Sequence, residues 1–403
     1  MRIIVWGINY APETTGIGPH NTALCEFLKT HGHAVEMLTT FCYYPAWHKL
    51  PADRGCFYRT DQINGVPVHR CWHYVPRRSA SWKRILHELS FCATSILRFF
   101  TLPKPDLIIV ISPPLLLGAA AWLGGVVKNA RFIFHAQDLQ PDGALGLGML
   151  KPGLFVRMLY KLEAFIYRKA HRVSGISGGM LKEFSKKGVP SSRQIYFPNT
   201  IVIPAPAEIS PRGLFRAKHG FKPDDFLAVH SGNLGMKHGL QVLVAAAGLL
   251  GNGRVKIIIS GDGAARDSLA EPIAREKVKN IVLLPLQAES DYQAMLSDAD
   301  VGLVTQQKGS GRSFFPSKLL NMLACAKPVL AVTDDDSELA RVLAGGKFGV
   351  RVATDQPQAL AGELDRLATR PEELAEYGRA GRKFVERFDR ERVFAEFAGA
   401  ILL

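Results

Sequence analysis

The feature of this sequence that most constrains its fold is an alternation of short apolar strands with amphipathic helices, which lapses once and then begins again. The first series starts with the strand Arg2–Gly7 and the second with the strand Phe226–His230. Between them, Ile203–Pro211 is rich in proline and follows neither pattern. Alternating strands and helices are typical of a parallel sheet with helices on both faces. The sequence therefore predicts an α/β protein, and its 403 residues are enough for two Rossmann-like domains.

The predicted strands are distributed over both series. They cover residues 2–7, 34–39, 66–71, 107–112 and 130–135 in the first series, and 226–230, 255–260, 281–284, 301–305 and 329–332 in the second. We assign residues 1–200 to the first domain and 201–383 to the second. The final segment, 384–403, is amphipathic and helical, and we expect it to cross back onto the first domain. Sheets of this kind bind ligands at the carboxyl ends of their strands, so a cleft between two facing domains is the expected site.

The charge of the chain indicates a polyanionic partner. Lysine and arginine outnumber aspartate and glutamate by 50 to 36, which gives a formal net charge of +14 and an isoelectric point near 9.5. Nucleic acid and an anionic membrane surface both suit such a charge. Between Pro76 and Lys104 the only acidic residue is Glu88, and basic residues are interleaved with apolar ones in a helical pattern. Such a helix suits an anionic headgroup layer, although a core-facing helix with a solvated cationic rim has the same pattern.

Other features of the sequence narrow the class of protein. No recognised nucleic-acid module appears, and the aromatic residues of the basic helix fall on its apolar face, so a membrane surface is favoured over nucleic acid. No uninterrupted apolar run has the roughly 18 to 20 residues of a spanning helix, and the first strand begins at Arg2, so we expect neither a membrane anchor nor a signal peptide. The six cysteines have no metal-ligand or disulfide spacing. These features predict a cytoplasmic protein that binds a membrane surface.

The first glycine-containing loop joins the first strand to the first helix. Its Gly16 and Gly18 have the spacing that begins a dinucleotide-binding fingerprint, but Asn21 replaces the third glycine and no acidic residue ends the second strand. The loop therefore does not indicate an NAD site. Two interpretations remain open: the glycines permit a tight turn alone, or they let the backbone approach a phosphate or an acceptor sugar.

Two further loops, both in the second half of the chain, each carry one lysine at the start of a helix. The loop Ser231–Gly239 contains Asn233 and Lys237, and the other loop contains Ser317 and Lys318. Backbone N–H groups at a helix N-terminus bind anions, and a lysine supplies a mobile cation for a phosphate. The pair of loops suggests a diphosphate held from two sides, as in a nucleotide-sugar site, although a strand–turn–helix junction with a surface lysine has the same pattern. No Walker A motif supports a kinase or an ATPase.

Polar residues at two other strand ends are candidates for catalysis or metal binding. His135 and Asp138 follow a predicted strand, and either is a candidate base or a contact for a sugar hydroxyl, although a histidine at a strand end is often structural. The run Asp334–Asp336 has carboxylates suited to magnesium or manganese, but a solvated loop or a helix cap is the commoner role of such a run. We therefore predict no metal site.

Short motifs that together carry a family resemblance are spread over nearly the whole chain. They are Gly7–Gly18, Val173–Ser177, Phe197–Asn199, Ser231–Gly239, Gly261–Gly263, Asp298–Asp300 and Pro316–Lys318. In these segments the chain resembles GT-B-fold glycosyltransferases of the large retaining family 4. More narrowly, His135–Asp138 with Gly146–Gly148, and Pro316–Asn321, are similar to the colanic-acid-type glycosyltransferases, which are often labelled fucosyltransferases.

The resemblance implies roles for the residues of the two lysine loops. Lys237 would neutralise the donor diphosphate and act in catalysis. Ser317, Lys318 and the following N–H group of Leu319 would hold the diphosphate or its sugar. These residues therefore form the core of the implied donor site.

The chain departs from the family pattern at three positions. Many members carry two glutamates in an E-x7-E motif where this chain has Ser313 and Asn321, and the common arginine of the first phosphate loop is Asn233 here. Asn321 can still hydrogen-bond a ribose hydroxyl, whereas Asn233 leaves Lys237 as the cation of the first phosphate loop. Both asparagines belong to the implied donor set. The loop of Gly16 and Gly18 would approach the donor or the acceptor.

The resemblance also implies an activity. Members of the family transfer a sugar with retention of configuration and without a metal or another cofactor. The colanic-acid type implies a nucleotide-sugar donor, with GDP-fucose favoured, and a lipid-diphosphate-linked saccharide acceptor at the cytoplasmic face of the inner membrane, for exopolysaccharide synthesis. Two alternatives stay open. One is a non-catalytic GT-B-like scaffold of a polysaccharide assembly complex, which the loss of both glutamates favours. The other is an enzyme of the same fold that acts on a soluble acceptor or on the nucleotide sugar alone.

Overall fold

The chain forms two compact units, each with its own sheet. The computed structural model describes residues 1–76, 81–146, 150, 152–310 and 318–402. The first unit comprises Met1–Asn199 together with Glu391–Leu403, and the second comprises Thr200–Arg390.

Strands and helices alternate through both units. The strands are β1 (Arg2–Trp6), β2 (Ala34–Thr40), β3 (Tyr58–Ile63), β4 (Val66–Cys71), β5 (Leu107–Ser112), β6 (Arg131–Ala136), β7 (Arg172–Gly175), β8 (Gln194–Tyr196), β9 (Phe226–Ser231), β10 (Val255–Ser260), β11 (Ile281–Leu284), β12 (Val301–Thr305), β13 (Val329–Val332) and β14 (Gly349–Val352). The helices are α1 (Gly18–Thr30), α2 (Ser81–Thr101), α3 (Leu116–Lys128), α4 (Gln140–Gly146), α5 (Leu154–Lys169), α6 (Gly178–Lys186), α7 (Leu214–His219), α8 (Gln241–Ala247), α9 (Arg266–Arg275), α10 (Glu289–Asp298), α11 (Lys318–Ala324), α12 (Glu338–Gly346), α13 (Pro357–Leu367), α14 (Pro371–Val385) and α15 (Arg390–Leu402).

The sheet of the first unit has the strand order β3-β4-β2-β1-β5-β6-β7-β8, and its neighbouring strands are parallel except for the pair β3 and β4. Successive side chains of a strand point to opposite faces of the sheet. On β1, Ile4 and Trp6 join the core covered by α2, α3, α5 and α6, whereas Ile3 and Val5 join the core covered by α1. Because both faces of β1 are buried, its sequence is a continuous apolar run.

The last helix, α15, belongs to the first unit. Its Phe397 stacks on Phe197 with 3.7 Å between the ring centroids, in the same core as α1. Phe384 and Phe388, in contrast, pack in a core of the second unit. The chain therefore returns to the first unit at Glu391, and not at residue 384 as we had expected, because the aromatic residues before this point already have partners in the second unit.

The sheet of the second unit has the order β11-β10-β9-β12-β13-β14, with parallel pairs throughout. On β9, Ala228 joins the core that contains α8 and α13, and Leu227 and Val229 join the core that contains α7 and α10. The chain continues from β9 to β10 on one side and places β12 on the other. The carboxyl end of β9 is therefore the point where the strand order reverses, which is where sheets of this kind bind ligands.

The predicted parallel α/β architecture is confirmed, and each predicted strand coincides with an observed strand to within one residue. The sequence analysis missed β3, β7, β8 and β14. The edge strand β3 alternates between exposed and half-buried residues and has no apolar run, and the other three strands have only three or four residues each. Such segments are too short or too polar to show a strand period. Residues 77–80, in the predicted basic segment, lie outside the described residues.

Candidate active site

The glycine-containing loops that follow β9 and β10 are hydrogen-bonded to each other at the carboxyl ends of these strands. The N–H of Gly232 donates to the carbonyl of Ser260 at 2.9 Å, and the N–H of Leu234 donates to the carbonyl of Asp262 at 2.8 Å. Gly261 has a φ of +150°, and a Cβ there would lie 1.9 Å from the carbonyl oxygen of Gly232. A side chain at Gly261 is therefore excluded, and the two loops form one support for the residues that follow β9.

Lys318, the first residue of α11, lies against the end of β9. Its Nζ is 2.9 Å from Nε2 of His230, and Nδ1 of His230 donates to the carbonyl of Leu303 at 3.1 Å. Burial, followed by the nearby Lys318 cation, holds the pKa of His230 well below its usual value. The imidazole is therefore neutral, and its Nε2 accepts a hydrogen bond from the lysine. The sequence analysis assigned no role to His230, because a histidine within a strand carries no signal of its partner.

Lys237 adds a second positive charge beside Lys318. Burial, followed by the charge of Lys237, lowers the pKa of Lys318 to about 7. Within the described part of the chain, no carboxylate forms an ion pair with Lys318. A partly buried lysine without a carboxylate partner, next to another cation, is an arrangement that a bound anion stabilises.

The backbone of Lys237 is fixed by the segment that follows β12. Lys237 lies in the 3-10 helix Met236–His238, and its carbonyl accepts hydrogen bonds from the N–H of Gln307 at 2.9 Å and from the hydroxyl of Ser310 at 3.1 Å. Gly239 ends this turn with a φ of +58°, and a Cβ there would lie 3.1 Å from Cα of Gln307. The close approach of the two segments holds the lysine near the carboxyl ends of both β9 and β12.

The other predicted donor residues differ in their positions. Asn233 is exposed on the loop after β9, whereas the side chain of Leu319 is fully buried in a core. The contact of the Leu319 N–H with a ligand stays a prediction. Asn321 is partly buried on α11, and its side chain hydrogen-bonds to the side chain of Tyr292. Ser317 lies outside the described residues. The structure thus brings Asn233, Lys237 and Lys318 together around one loop, and Asn321 has a partner within the protein.

In the first unit, a buried carboxylate that the sequence analysis did not single out fixes the loop after β1. Glu13 accepts hydrogen bonds from the N–H groups of Tyr43 at 3.0 Å and Tyr44 at 2.9 Å, and from the amide of Asn9 at 2.8 Å. Burial raises the pKa of this carboxyl, and the three hydrogen bonds oppose the rise. Glu13 thereby ties the loop after β1 to the loop after β2. The only feature of the sequence that could have indicated this role is the position of Glu13 shortly before Gly16 and Gly18.

Gly16 and Gly18 are in close contact with their own neighbours. Gly16 has a φ of +69°, and a Cβ there would lie 3.1 Å from the ring of Tyr44. A Cβ on Gly18 would lie 3.1 Å from the carbonyl oxygen of Glu13. The protein itself therefore requires small residues at these positions, and the contact of this loop with a donor or an acceptor stays a prediction.

His135 lies near the end of β6 and is fully buried. Its Nδ1 donates to the hydroxyl of Ser174 at 2.9 Å, and its Nε2 accepts from the amide of Gln137 at 2.9 Å. Burial, followed by the nearby His20, holds the pKa of His135 well below its usual value, so the ring is neutral. With both nitrogens occupied, His135 is arranged to position Gln137, and its own catalytic role stays a prediction.

Asp138 is exposed and lies two residues beyond the end of β6, at the carboxyl edge of the sheet. The two candidate residues of this segment therefore differ in access, because a substrate can reach the side chain of Asp138 but not that of His135. The contact of Asp138 with a substrate stays a prediction. Gly148, in the neighbouring glycine-rich segment, lies outside the described residues.

The acidic run after β13 has contacts within the protein. Asp334 accepts hydrogen bonds from the hydroxyl of Thr354 at 2.7 Å and from the N–H of Gly309 at 2.6 Å, and Asp335 forms an ion pair with Arg351. These carboxylates tie neighbouring loops together. In the ranges that the structure describes, no group of three or more His, Cys, Asp or Glu side chains is arranged to hold a metal ion.

Two protein-family models match the chain, one for each half. Residues 15–200 match a model described as a glycosyl transferase 4-like domain, and residues 211–384 match a model described as glycosyl transferases group 1. The second match contains the loops of Lys237 and Lys318, and the first match contains His135 and Asp138.

Two curated relatives and two solved structures extend these matches. The chain is 30% identical over 413 residues, which cover all of both chains, to the putative colanic acid biosynthesis glycosyl transferase WcaI of Escherichia coli K12. It is 28% identical over 246 residues, 59% of this chain and 60% of the relative, to the probable glycosyltransferase WbjE of Pseudomonas aeruginosa. Sucrose-phosphate synthase from Thermosynechococcus elongatus has a TM-score of 0.77 at 17% identity over 100% of this chain and 98% of that one. Anabaena HepE, solved with UDP-glucose, has a TM-score of 0.71 at 14% identity over 100% and 99%.

The fold and the family matches define the class of protein as a GT-B glycosyltransferase. The chain belongs to the glycosyltransferase 4-like family, and its full-length similarity to WcaI relates it to colanic-acid-type members. The family and the fold expected from the sequence motifs are thereby confirmed.

Proposed function

We propose that the protein transfers a sugar from a nucleotide-sugar donor to a saccharide linked to a lipid diphosphate, as a step of exopolysaccharide synthesis. The donor binds in the second unit and the acceptor in the first. The relative with 30% identity is named as a putative colanic acid biosynthesis glycosyl transferase, which supports polysaccharide synthesis as the pathway of the proposed reaction. GDP-fucose is the favoured donor because of the motifs shared with the colanic-acid type.

The observation that carries the proposal is the pair of cations at the end of β9. Lys318 is held by a neutral imidazole rather than by a carboxylate, and Lys237 lies close enough to lower its pKa. A nucleoside diphosphate is the leaving group of a nucleotide sugar, and its negative charge increases as the glycosyl bond breaks. Cations that are already positioned where this charge develops stabilise the transition state more than the ground state.

In the proposed reaction, the bond between the anomeric carbon and the donor diphosphate breaks. A bond to the acceptor hydroxyl oxygen forms on the same face of the sugar, so the configuration is retained, and the hydroxyl proton passes to the departing diphosphate oxygen. Lys237 and Lys318 neutralise the diphosphate, so we propose no metal and no other cofactor. Asn233, Ser317 and the N–H of Leu319 complete the donor site.

Residues of the first unit would orient the reacting hydroxyls. Asp138 is exposed at the end of β6 and is the proposed contact for a sugar hydroxyl. His135 stabilises the segment that carries Asp138, because its Nε2 accepts a hydrogen bond from the side chain of Gln137. Gln137 is half-buried and immediately precedes Asp138, so the histidine restricts the conformations of the segment that carries the carboxylate.

The proposed acceptor requires access to a membrane, and the first unit has exposed apolar side chains beside cations. Trp82 and Leu89 of α2 are 63% and 46% exposed, and Leu154 and Met158 of α5 are 76% and 59% exposed. Both helices follow strands in parallel crossovers, so both begin at the carboxyl edge of the sheet. Among the described helices, none has the length and apolarity that crossing a membrane demands. These features support peripheral binding at an anionic surface, which we propose is the cytoplasmic face of the inner membrane.

The proposal is tested by measuring the melting temperature of the full chain with saturating GDP, UDP, ADP or CMP. A ligand at about 100 times its dissociation constant adds about 2.7 kcal/mol of stability, enough for a visible shift. A selective shift with GDP supports the GDP-fucose donor. A selective shift with UDP supports the proposed sugar transfer but overturns the fucose assignment. UDP is included because a protein of the same fold was solved with UDP-glucose. No shift with any nucleotide contradicts the proposal.

Turnover is tested with the variant Lys237→Ala. Removal of this cation should abolish most transfer to a lipid-linked acceptor while the melting temperature without nucleotide stays within about 2 °C of the wild type. Lys279→Ala is the matched control, because Lys279 is an exposed lysine of the same unit. Turnover of Lys237→Ala equal to that of the control contradicts the assignment.

A non-catalytic scaffold is the second candidate, and one observation favours it. Asn321 stands where many members have a glutamate, and its side chain is engaged by Tyr292. A scaffold would bind the nucleotide sugar but transfer its sugar to no acceptor. An enzyme with a soluble acceptor, in contrast, would show turnover without any association with anionic vesicles.

A further inference from the structure

Four rings from three segments lie together where β2 and β4 end in the first unit. The ring centroid of Tyr43 is 4.7 Å from that of His87, 5.0 Å from that of His73 and 5.5 Å from that of Trp47. Tyr43, His73 and His87 are buried, whereas Trp47 is partly exposed. Trp47 is therefore the member of this cluster that an external molecule can contact.

A buried polar atom of the cluster lacks a partner in the described structure. Nδ1 of His87 donates to the carbonyl of Tyr74 at 2.6 Å, so Nε2 of the neutral ring is an acceptor. This nitrogen is buried and has no hydrogen-bond partner among the described residues. The centroid of the His87 ring is 5.6 Å from that of Trp47. Buried polar atoms are paired in most proteins, so Nε2 of His87 is an unused hydrogen-bond acceptor of this cluster.

The position of Trp47 is imposed by its surroundings. Its φ is +53°, in the left-handed region that residues other than glycine rarely adopt. The segment that carries it is anchored by Glu13, which accepts the N–H groups of Tyr43 and Tyr44. Such conformations persist where the surrounding structure determines them, and they concentrate at binding sites.

A cation lies beside the indole ring. The guanidinium carbon of Arg84 is 5.8 Å from the ring centroid of Trp47, and the side chain is exposed on the first turn of α2. Glu88 is the only acid of α2, and its carboxylate lies within hydrogen-bond distance of the amide of Gln140, at 3.3 Å. Within the described residues no carboxylate forms an ion pair with Arg84. Arg84 acts on the carboxyl of Glu88 through its charge, but its guanidinium is exposed and an external anion can reach it.

We infer that Trp47 and Arg84 form the acceptor subsite, in which the indole packs on the apolar face of the acceptor sugar and the guanidinium binds the diphosphate that links this sugar to its lipid. Guanidinium groups bind phosphate oxygens in bidentate geometry, and aromatic rings provide broad apolar faces. Ile85 and Leu86 follow on α2 and are 39% and 42% exposed, which suits the first part of the lipid chain. The inference rests on the proposed function, because it assigns residues to the acceptor of that reaction.

The subsite is tested by isothermal titration of the full chain with glucosyl diphosphooctane, a short-chain sugar lipid with a diphosphate link. Octyl glucoside is the uncharged counterpart. We expect the wild type to bind the diphosphate probe at least tenfold more tightly than octyl glucoside. Arg84→Gln should lose this preference and bind the diphosphate probe at least tenfold more weakly. Trp47→Ala should weaken the binding of the diphosphate probe to a similar degree, and Trp47→Phe should retain part of the affinity.

Lys83→Gln is the matched control for the charge. Lys83 precedes Arg84 on α2, but its Nζ lies 5.6 Å from the ring of Trp82 instead of beside Trp47. Its affinity for the diphosphate probe should stay within about twofold of the wild type. An equal loss in Lys83→Gln and Arg84→Gln would reveal unspecific charge attraction and overturn the subsite, as would wild-type affinity in Arg84→Gln or no binding by the wild type.

Nucleotide melting shifts, measured on the same proteins, separate this inference from the proposed function. A nucleotide shift without probe binding would leave the donor site in place and overturn the subsite. Probe binding with the expected loss in Arg84→Gln, but without any nucleotide shift, would support the subsite and contradict the proposed transfer. A Trp47 or Arg84 variant that keeps the wild-type nucleotide shift is folded, so its loss of probe binding reports on the acceptor.

Discussion

Nζ of Lys318 and Nε2 of His230 lie 2.9 Å apart, so an ammonium donor meets a neutral imidazole at the carboxyl end of β9. The imidazole positions the lysine but does not neutralise it. A carboxylate in the same place would neutralise it. The nearby Lys237 further disfavours the charged form of Lys318, after burial, which is the larger cause. The second unit therefore holds its cations in a state that an anionic ligand stabilises.

The stability of the unliganded protein should depend on pH through Lys318. Its pKa in the folded state is about 7, below the usual 10.5, so between these values the unfolded chain binds more protons than the folded chain. Stability from this group therefore rises with pH across that window, by at most about 1.4 kcal/mol per pH unit. Lys318→Met should remove this part of the rise in urea unfolding at pH 7, 8 and 9. Lys279→Met, an exposed control, should keep the wild-type slope, and equal slopes in all three proteins would contradict the prediction.

Binding of a nucleoside diphosphate should take up a proton at pH 8. The phosphate charge raises the pKa of Lys318, which is largely neutral at this pH in the free protein. Titration calorimetry in two buffers with different ionisation enthalpies measures the uptake directly. We expect a value approaching one proton in the wild type and a clearly smaller value in Lys318→Met. Uptake that is the same in both proteins would assign the proton to another group.

Gly261→Ala should destabilise the second unit by about 2–5 kcal/mol, because the residue has a φ of +150° and the new Cβ would meet the carbonyl oxygen of Gly232. Nucleotide binding should fall with it, since the loop after β9 would have to move. Gly253→Ala is the control, because no atom lies within 4 Å of a Cβ at that position. Chemical unfolding measures both variants, and a loss at Gly261 no larger than that at Gly253 would be inconsistent with this packing.

Glu13→Ala should cost about 2–4 kcal/mol of stability, because it leaves the buried N–H groups of Tyr43 and Tyr44 and the amide of Asn9 without their acceptor. The loop that carries Trp47 should then lose its fixed position, and tryptophan fluorescence should show increased exposure. Glu183→Ala removes a surface ion pair with Lys186 and should cost less than about 1 kcal/mol. Comparable costs for the two variants would show that the Glu13 hydrogen bonds add little.

Association with anionic vesicles should depend on the apolar residues of α2. Replacement of Leu86 and Leu89 by asparagine removes exposed apolar surface next to Arg84, so co-sedimentation with phosphatidylglycerol vesicles should fall at least tenfold. Leu249 and Leu286, about half exposed in the second unit, provide the control pair. If both double variants lose the same fraction of binding, general hydrophobicity explains the association and the surface on α2 does not.

Much of the fold was predictable because it depends on local patterns. The central strands β1, β5 and β9 are buried on both faces, so each is a continuous apolar run between a polar turn and a helical pattern. The glycine loops were found for the same reason, since each lies directly after such a strand. The edge strand β3 and the three- or four-residue strands were missed because their residues are too polar or too few to show a period.

The candidate site was predictable in its residue types but not in its contacts. Lys237 and Lys318 were identified from their loops, whereas the hydrogen bond of Lys318 to His230 joins residues 88 positions apart. In the same way, Glu13 precedes two glycines that the sequence analysis identified, but it was not singled out, because its partners Tyr43 and Tyr44 are about thirty residues away. Neither partner carries a signal in its own local sequence.

The sequence by itself determined the α/β architecture, the family and the two loops that carry Lys237 and Lys318, because each of these follows from periodicity or from a short contiguous motif. Only the tertiary structure decided that the partner of Lys318 is the imidazole of His230 and that Glu13 anchors the segment of Trp47. It also decided that His135 is buried while Asp138 is exposed. The physical reason is that hydrogen bonding and burial depend on which strand ends become neighbours in a sheet, and that order is a property of the folded chain.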